Sequence, residues 1–170
     1  MLQEIGQMNQ ERPHSLEHGV GVIVVYASKV LLMHRAKDTP FIPDKWDFLG
    51  GGIESGEMAE DAARRELQEE SGIIARQIIF LGAVDGGTQP GKPYFLTLPT
   101  ARDVEMIRWD GEGQEIRFLD VDEITSLYLQ GHLAGPLLYV FMEKNRSAFF
   151  EMVKSGRAPE QPFIGLNYKG

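Results

Sequence analysis

Three glutamates crowded on one face of a short segment, directly behind three glycines, constrain this sequence more than any other feature. Residues 50–74 read GGGIESGEMAEDAARRELQEESGII. On a helix, Glu66, Glu69 and Glu70 lie three and four positions apart and therefore share one face. Like charges at this spacing cost roughly 0.2–0.5 kcal/mol per pair. Because a helix selected for stability alone would carry a lysine there, the cluster indicates a function.

The ends of this helix can be read from the sequence. We predict a helix over 58–71, because Glu57, Glu60 and Asp61 supply the acidic first turn that complements the helix dipole. Gly72 follows as a left-handed cap. The three glycines before it, 50–52, are predicted to form a loop whose backbone approaches a ligand closely.

A divalent cation would explain the acidic face. Hard cations such as Mg²⁺ take oxygen ligands and commonly use a few carboxylates together with substrate phosphates. Glu66, Glu69 and Glu70 would supply those carboxylates, and the cation would offset their mutual repulsion. The alternative is a solvated surface face, held by ion pairs such as Glu60–Arg64 at a spacing of four residues.

The whole segment resembles the signature of the Nudix hydrolases. The matching positions are Gly51, Glu57, Arg65-Glu66-Leu67, Glu69-Glu70 and Gly72-Ile73, with both intervening gaps of the expected length. The resemblance implies an α/β (α+β) fold, namely an α/β/α sandwich with a mixed sheet and a loop–helix–loop catalytic motif. We therefore expect an N-terminal arm over 1–17, the Nudix domain over 18–155 and a C-terminal tail over 156–170.

The resemblance also implies roles for individual residues. Glu66, Glu69 and Glu70 match metal-binding carboxylates, and the Gly50 carbonyl is a further candidate ligand. Arg65 matches the residue that orients a loop glutamate, here Glu57.

The remaining site candidates lie around this motif. Relatives use an acidic residue of a later loop as base, for which Glu115 is our first choice and Glu112 the second, and such a group would activate water. Substrate contacts are assigned to Gly51, Gly52 and Arg35.

The implied activity is hydrolysis of the diphosphate linkage in a nucleoside diphosphate derivative or nucleoside triphosphate, dependent on Mg²⁺ or Mn²⁺. A triphosphatase that removes damaged nucleotides and a pyrophosphatase of the ADP-ribose type both remain open. The alternative from another class is a nucleotide-binding or sensor domain of the same fold without turnover. The loop at 85–93 is where we expect specificity to be set.

The amino-acid composition limits the kinds of partner that the protein can be expected to bind. The net charge is −8 and there is no cysteine, so disulfides and thiolate chemistry are excluded. An acidic chain without a basic patch predicts a small nucleotide substrate rather than nucleic acid. The longest apolar run is too short to span a bilayer and no signal peptide is evident, so we expect a cytoplasmic protein with no membrane association. A homodimer remains open.

The other elements follow from apolar patterning and from turn residues. Strands are predicted over 20–26, 29–35, 73–84, 94–100, 104–109 and 114–121, with a loop over 36–47 and a single helix over 136–153.

Overall fold

The computed structural model describes residues 19–84, 91–141 and 145–163. The strands in these ranges are β1 (Gly19–Tyr26), β2 (Lys29–His34), β3 (Trp46–Gly52), β4 (Ile79–Val84), β5 (Lys92–Thr97) and β6 (Glu115–Leu119). The helices are α1 (Ala59–Ser71), α2 (Ala101–Glu105), α3 (Val121–Leu129), α4 (Gly135–Phe141) and α5 (Arg146–Ser155). The predicted arm over 1–17 lies outside the described residues, as does most of the loop at 85–93.

The six strands form one mixed sheet in the order β4-β5-β1-β3-β2-β6, and β1 also pairs with β2. β1 runs parallel to β5 and antiparallel to β3. The β1–β2 turn consists of Ala27 and Ser28, both in the left-handed region with φ of 49° and 60°, as a two-residue hairpin with the right twist requires. The predicted mixed sheet is confirmed.

Helices cover both faces of the sheet. Because successive strand residues point to opposite faces, Val22 and Val24 of β1 join a core cluster with α1, whereas Ile23 and Val25 join a second cluster with α4 and α5. Both clusters are made almost entirely of fully buried aliphatic and aromatic side chains. The sheet therefore sits between two hydrophobic cores, and the motif helix belongs to only one of them.

The glycines 50–52 are not a loop, which corrects our expectation. They form the end of β3 and pair with β1, Gly50 opposite Gly21. Gly50 has a φ of +145°, and a Cβ placed on it would lie 2.0 Å from the carbonyl oxygen of Val20. Close pairing of the two strands therefore requires glycine here. The predicted loop over 36–47 likewise ends earlier, since β3 begins at Trp46.

The predicted strand over 104–109 is wrong. The chain instead forms α2, whose N-cap Thr100 accepts a hydrogen bond from the Asp103 amide while the Asp103 side chain accepts one from the Thr100 amide. This reciprocal capping box stabilises a helix start and overrides the alternating apolar pattern that follows it.

Three further elements differ from the prediction. The strand over 73–84 shortens to β4, because Ile73 and Ala75 are buried in the core with α1 rather than paired in the sheet. A capping box between Asp120 and Glu123 begins α3, which the sequence analysis did not predict. The single helix over 136–153 is two helices, and Asn145 is the N-cap of the second.

Candidate active site

The motif helix has the predicted ends. α1 follows Met58, and Gly72 closes it in the left-handed conformation with a φ of 78°, its amide bonded to the carbonyl of Gln68. The helix lies against β3 and β1 through Ala62, Ala63 and Leu67, which are fully buried. This packing presents the acidic face of α1 to the glycine end of β3.

Arg65 is the centre of the acidic cluster. Its Nε and Nη2 donate to the two carboxylate oxygens of Glu57 at 2.9 and 3.0 Å. Its Nη1 donates to Glu66 at 2.8 Å and to Glu69 at 3.3 Å, and its Nη2 also donates to the carbonyl of Gly52 at 2.8 Å. One planar guanidinium thus ties together the loop, the helix and the end of β3.

Electrostatics agree with this geometry. The hydrogen bonds from Arg65 hold the pKa of Glu57 below its usual range, helped by a hydrogen bond from the backbone amide of Glu54. The same pairing with Glu57 raises the pKa of Arg65. Arg65 therefore carries its charge permanently and holds Glu57 as a carboxylate. The assignment of Arg65 as the residue that orients Glu57 for the reaction stays a prediction.

Glu66 lies against the backbone of β3. A Cβ placed on Gly51 would lie 2.4 Å from the carboxyl carbon of Glu66, so glycine at this position leaves the room that the carboxylate occupies. Burial raises the pKa of Glu66, although the hydrogen bond from Arg65 acts to lower it. The charges of Glu69 and Glu112 raise that pKa further.

Glu70 is the most deeply buried carboxylate of the cluster, with 3% of its surface exposed. The Gly50 amide donates a hydrogen bond of 2.9 Å to its Oε2. Burial raises the pKa of Glu70 against this hydrogen bond, and the charges of Glu66, Glu112 and Asp110 raise it as well. Together these effects bring the pKa of Glu70 to about 9.

The loop before β6 brings two further carboxylates, Asp110 and Glu112, close enough for their charges to act on this cluster. The charge of Glu112 acts on both Glu66 and Glu70. Glu115 is the first residue of β6 and pairs with His34 of β2. Between the two candidates for the base, these interactions favour Glu112.

The chemistry of the donor set fits a hard divalent cation. Within the described ranges no three acidic or histidine side chains already converge as a metal cage; the Arg65 guanidinium instead contacts Glu57, Glu66 and Glu69. The donors are all oxygen, as Mg²⁺ and Mn²⁺ prefer. Two of them, Glu66 and Glu70, have pKa values raised by burial, and a bound cation would favour their ionised form.

A second polar cluster lies close to the first and was not anticipated from the sequence. Asp47 of β3 is buried, and Arg35 Nη1 lies 3.8 Å from its Oδ2. Burial raises the pKa of Asp47, while the charges of Lys92 and Arg35 lower it. An aspartate inside the otherwise apolar run Trp-Asp-Phe-Leu was the signal that could have revealed this cluster.

Charges from both clusters act on Lys92. Burial lowers its pKa, whereas the charges of Asp47 and Glu70 raise it. Its ammonium lies 5.4 Å from the centre of the Tyr94 ring. The hydroxyl of Tyr94 is buried without a hydrogen-bond partner in the described part of the chain.

Arg35, predicted to contact substrate, is largely engaged within the protein. It donates to the carbonyls of Ile42 and Phe41 at 3.0 and 2.8 Å and so holds the loop that leads to β3. Its assignment to substrate stays a prediction.

A groove of about 490 Å³ adjoins the outer side of the acidic cluster. Glu69 and Asp110 line it on the side of the cluster, and Ile74, Met106 and Trp109 are its exposed apolar residues. No pattern in the sequence indicated this groove.

Comparison with known proteins defines the class. The model of the NUDIX domain family matches residues 16–138. The chain belongs to this family, as the signature indicated.

Curated relatives share parts of the sequence. A "Putative 8-oxo-dGTP diphosphatase" of Bacillus subtilis (strain 168) is 35% identical over an 85-residue alignment, which covers 41% of this chain and 54% of that protein. An "Oxidized purine nucleoside triphosphate hydrolase" of Danio rerio is 34% identical over 111 residues, 61% of this chain and 65% of that protein. The chain thus spans between half and two thirds of the length of these two relatives.

Solved structures share the fold. A NUDIX hydrolase from Nitrosomonas europaea has a TM-score of 0.59 at 19% identity, covering 79% of this chain and 90% of that one. The NUDIX domain of Shewanella oneidensis NrtR, solved with ADP-ribose, has a TM-score of 0.58 at 19% identity, covering 86% and 98%. No helix in the described ranges is long and apolar enough to cross a membrane.

Proposed function

We propose that this protein is a pyrophosphohydrolase that cleaves the diphosphate linkage of a nucleoside diphosphate derivative or nucleoside triphosphate, using Mg²⁺ or Mn²⁺. The observation that carries the proposal is the pair Glu66 and Glu70 on one helix face, the first half-buried and the second buried, whose pKa values are both raised. Burying like charges together is unfavourable unless a cation compensates them. The proposal is further supported by the family to which the chain belongs.

Glu66, Glu69 and Glu70 would hold the cation, with the Gly50 carbonyl as a further ligand. When bound, a divalent cation polarises phosphoryl oxygens and neutralises charge on the diphosphate. Arg65 keeps Glu57 and Glu66 in place through hydrogen bonds of 2.8–3.0 Å.

Glu112 is our candidate for the general base. It would accept a proton from water as the water oxygen attacks a phosphorus of the bridge. The P–O bond to the leaving phosphate then breaks, giving a nucleoside monophosphate and, from a triphosphate, pyrophosphate. Glu115 remains the alternative.

Among possible substrates, a purine nucleoside triphosphate is the one that we favour. Two of the relatives are named for hydrolysis of oxidised purine nucleotides. The cluster of Asp47, Lys92 and Tyr94 offers both hydrogen-bond acceptors and donors. A carboxylate accepts hydrogen bonds from ring N–H and amino groups, whereas an ammonium or hydroxyl group donates one to a carbonyl. A purine bearing a carbonyl, a ring N–H and an amino group would match it.

A substrate screen tests the proposed activity. Purine and pyrimidine nucleoside triphosphates, their 8-oxo forms, dinucleotides and nucleotide sugars would be incubated with Mg²⁺ or Mn²⁺, with release of pyrophosphate, phosphate and monophosphate measured. We expect hydrolysis that requires the metal and is fastest with a purine triphosphate. Hydrolysis of none of these compounds under either metal would contradict the proposal, and a preference for ADP-ribose would contradict the substrate assignment.

Two substitutions test the metal assignment. Glu66→Gln and Glu70→Gln should each lower kcat/KM by roughly 100-fold or more, because each removes a ligand charge whose stabilisation of the transition state is several kcal/mol. Glu60→Gln is the matched control, since Glu60 lies on the same helix but pairs with Arg64 at the surface. Retention of wild-type activity by both site variants, with the fold verified by circular dichroism, would rule out the assignment.

A further inference from the structure

The backbone of Glu112 is held from both sides by side chains of its own loop. The indole Nε1 of Trp109 donates a hydrogen bond of 2.8 Å to the Glu112 carbonyl. The Glu112 amide donates one of 2.8 Å to Oδ1 of Asp110. Both polar groups of the Glu112 backbone are therefore hydrogen-bonded to side chains of this loop.

The loop needs this restraint because of its glycines. Gly111 and Gly113 flank Glu112 with φ of +91° and +72°, and glycine leaves the backbone free to adopt many conformations. Beyond them the loop is anchored to β2, since the Gln114 amide donates to the His34 carbonyl at 2.8 Å. On the side before Glu112, the Arg108 amide donates to the Ser71 carbonyl of α1 at 2.8 Å. Between these two anchors, the hydrogen bonds that Trp109 and Asp110 make with the Glu112 backbone restrain the loop.

Trp109 is not explained by core packing. Its side chain is 48% exposed and borders the groove beside Glu69 and Asp110. Leaving a large aromatic group half in water sacrifices hydrophobic stabilisation, whereas its N–H makes a specific bond to the backbone of Glu112. The hydrogen bond is therefore the feature of Trp109 that bears on the site.

We propose that Trp109 is a positioning residue, which holds the loop so that the Glu112 carboxylate stays near the acidic cluster of α1. This rests on the proposed function, in which Glu112 acts as general base. A base displaced by about 1 Å can cost on the order of 100-fold in rate. Trp109 would thus act on the reaction only through Glu112, without touching substrate.

Trp109→Phe is the test substitution, because it keeps an aromatic ring and removes the N–H donor. We expect kcat to fall roughly 10- to 100-fold, with KM and metal affinity changed less than about twofold. Met106→Ala is the matched control, because it empties part of the same groove and leaves the Trp109–Glu112 bond intact. An increase in KM shared by both variants would mean that the groove binds substrate, and the inference would be overturned.

A double-mutant cycle with Glu112→Gln separates positioning from a general structural effect. If Trp109 acts through Glu112, Trp109→Phe should reduce kcat no further once Glu112 is replaced. An undiminished additional loss would overturn the inference, as would wild-type kcat in either single variant.

A second measurement needs no substrate and therefore distinguishes failure of this inference from failure of the proposed function. Amide hydrogen exchange is followed by NMR in the wild-type protein and in Trp109→Phe, with the amides of α1 as the internal reference. We expect Trp109→Phe to accelerate amide hydrogen exchange at residues 110–113 while exchange in α1 is unchanged. Unaltered exchange in this loop would overturn the inference even if the wild-type enzyme is active.

Discussion

Glu70 shows how a single side chain can serve the core and the site together. Only 3% of the surface of Glu70 is exposed. Its carboxylate accepts a hydrogen bond from the backbone amide of Gly50. Its position in the signature predicted a ligand, but its burial and its altered pKa could not be read from the sequence, because both depend on how closely α1 packs against β3.

The raised pKa predicts that metal binding releases a proton. Without metal, Glu70 is protonated at pH 7 because its pKa lies at about 9, whereas a cation binds the ionised carboxylate. Binding of Mn²⁺ at pH 7 should therefore release about one proton, and the release should decline as the pH rises through about 9, where Glu70 is already ionised. Calorimetry in buffers of different ionisation enthalpy measures this number. Glu70→Gln is the control, and proton release equal in both proteins would contradict the assignment to Glu70.

At the scale of elements, the sequence was informative wherever local chemistry decides the structure. The Gly72 cap of α1 and the acidic residues Glu60 and Asp61 of its first turn were predicted correctly, because both signals act within one turn. Glu57, which we also placed in the first turn, lies before the N-cap Met58. The Thr100–Asp103 and Asp120–Glu123 capping boxes carry a similarly local signal, and reading them would have given α2 and α3. Local sequence could not predict that glycines 50–52 lie within a strand, because this depends on their pairing with Gly19 and Gly21 of β1.

Two neighbouring glycines of β3 should respond differently to replacement by alanine. In Gly51→Ala the new Cβ meets the end of the Glu66 side chain at 2.4–2.5 Å. We therefore expect loss of metal affinity and activity, with a small effect on the melting temperature, because a side-chain end can move. In Gly50→Ala the Cβ meets the rigid backbone of Val20 at 2.0 Å, and the protein should be strongly destabilised.

Thermal unfolding followed by circular dichroism, together with Mn²⁺ titration of the folded protein, measures both effects of these glycine variants. Equal destabilisation by the two substitutions would show that Glu66 is as immobile as the sheet backbone. Unchanged metal affinity in Gly51→Ala would instead argue that the Glu66 carboxylate is not a ligand.

The two hydrophobic cores on opposite faces of the sheet differ in their relation to the acidic cluster. The α1 core supports the carboxylates directly, whereas the core under α4 and α5 stabilises the opposite face. The sequence patterns predicted a helix on each face, but not that the second layer consists of separate helices. The sequence patterns also could not show whether Glu112 or Glu115 lies nearer the acidic cluster. This depends on the assembled fold, because the pairing of β6 with β2 decides where each residue lies.

Matched core substitutions should separate stability from function. Leu67 of α1 and Phe149 of α5 are both fully buried, one in each core. Leu67→Ala should lower the free energy of unfolding by about 2–5 kcal/mol and Phe149→Ala by about 3–5 kcal/mol, each reducing the melting temperature by on the order of 10 °C.

Function should respond to only one of these two changes. At a temperature where both variants are folded, Phe149→Ala should retain wild-type Mn²⁺ affinity and kcat, because the sheet separates its cavity from the acidic cluster. Leu67→Ala should reduce both the Mn²⁺ affinity and kcat, because Leu67 packs α1 against the sheet. A shift of α1 would move the carboxylates of Glu66 and Glu70 relative to the glycine end of β3. Unfolding curves, metal titration and steady-state kinetics on the same preparations provide the comparison. Equal loss of metal affinity in the two variants would mean that the cores are coupled through the sheet, and that the site depends on the whole fold rather than on the seating of α1.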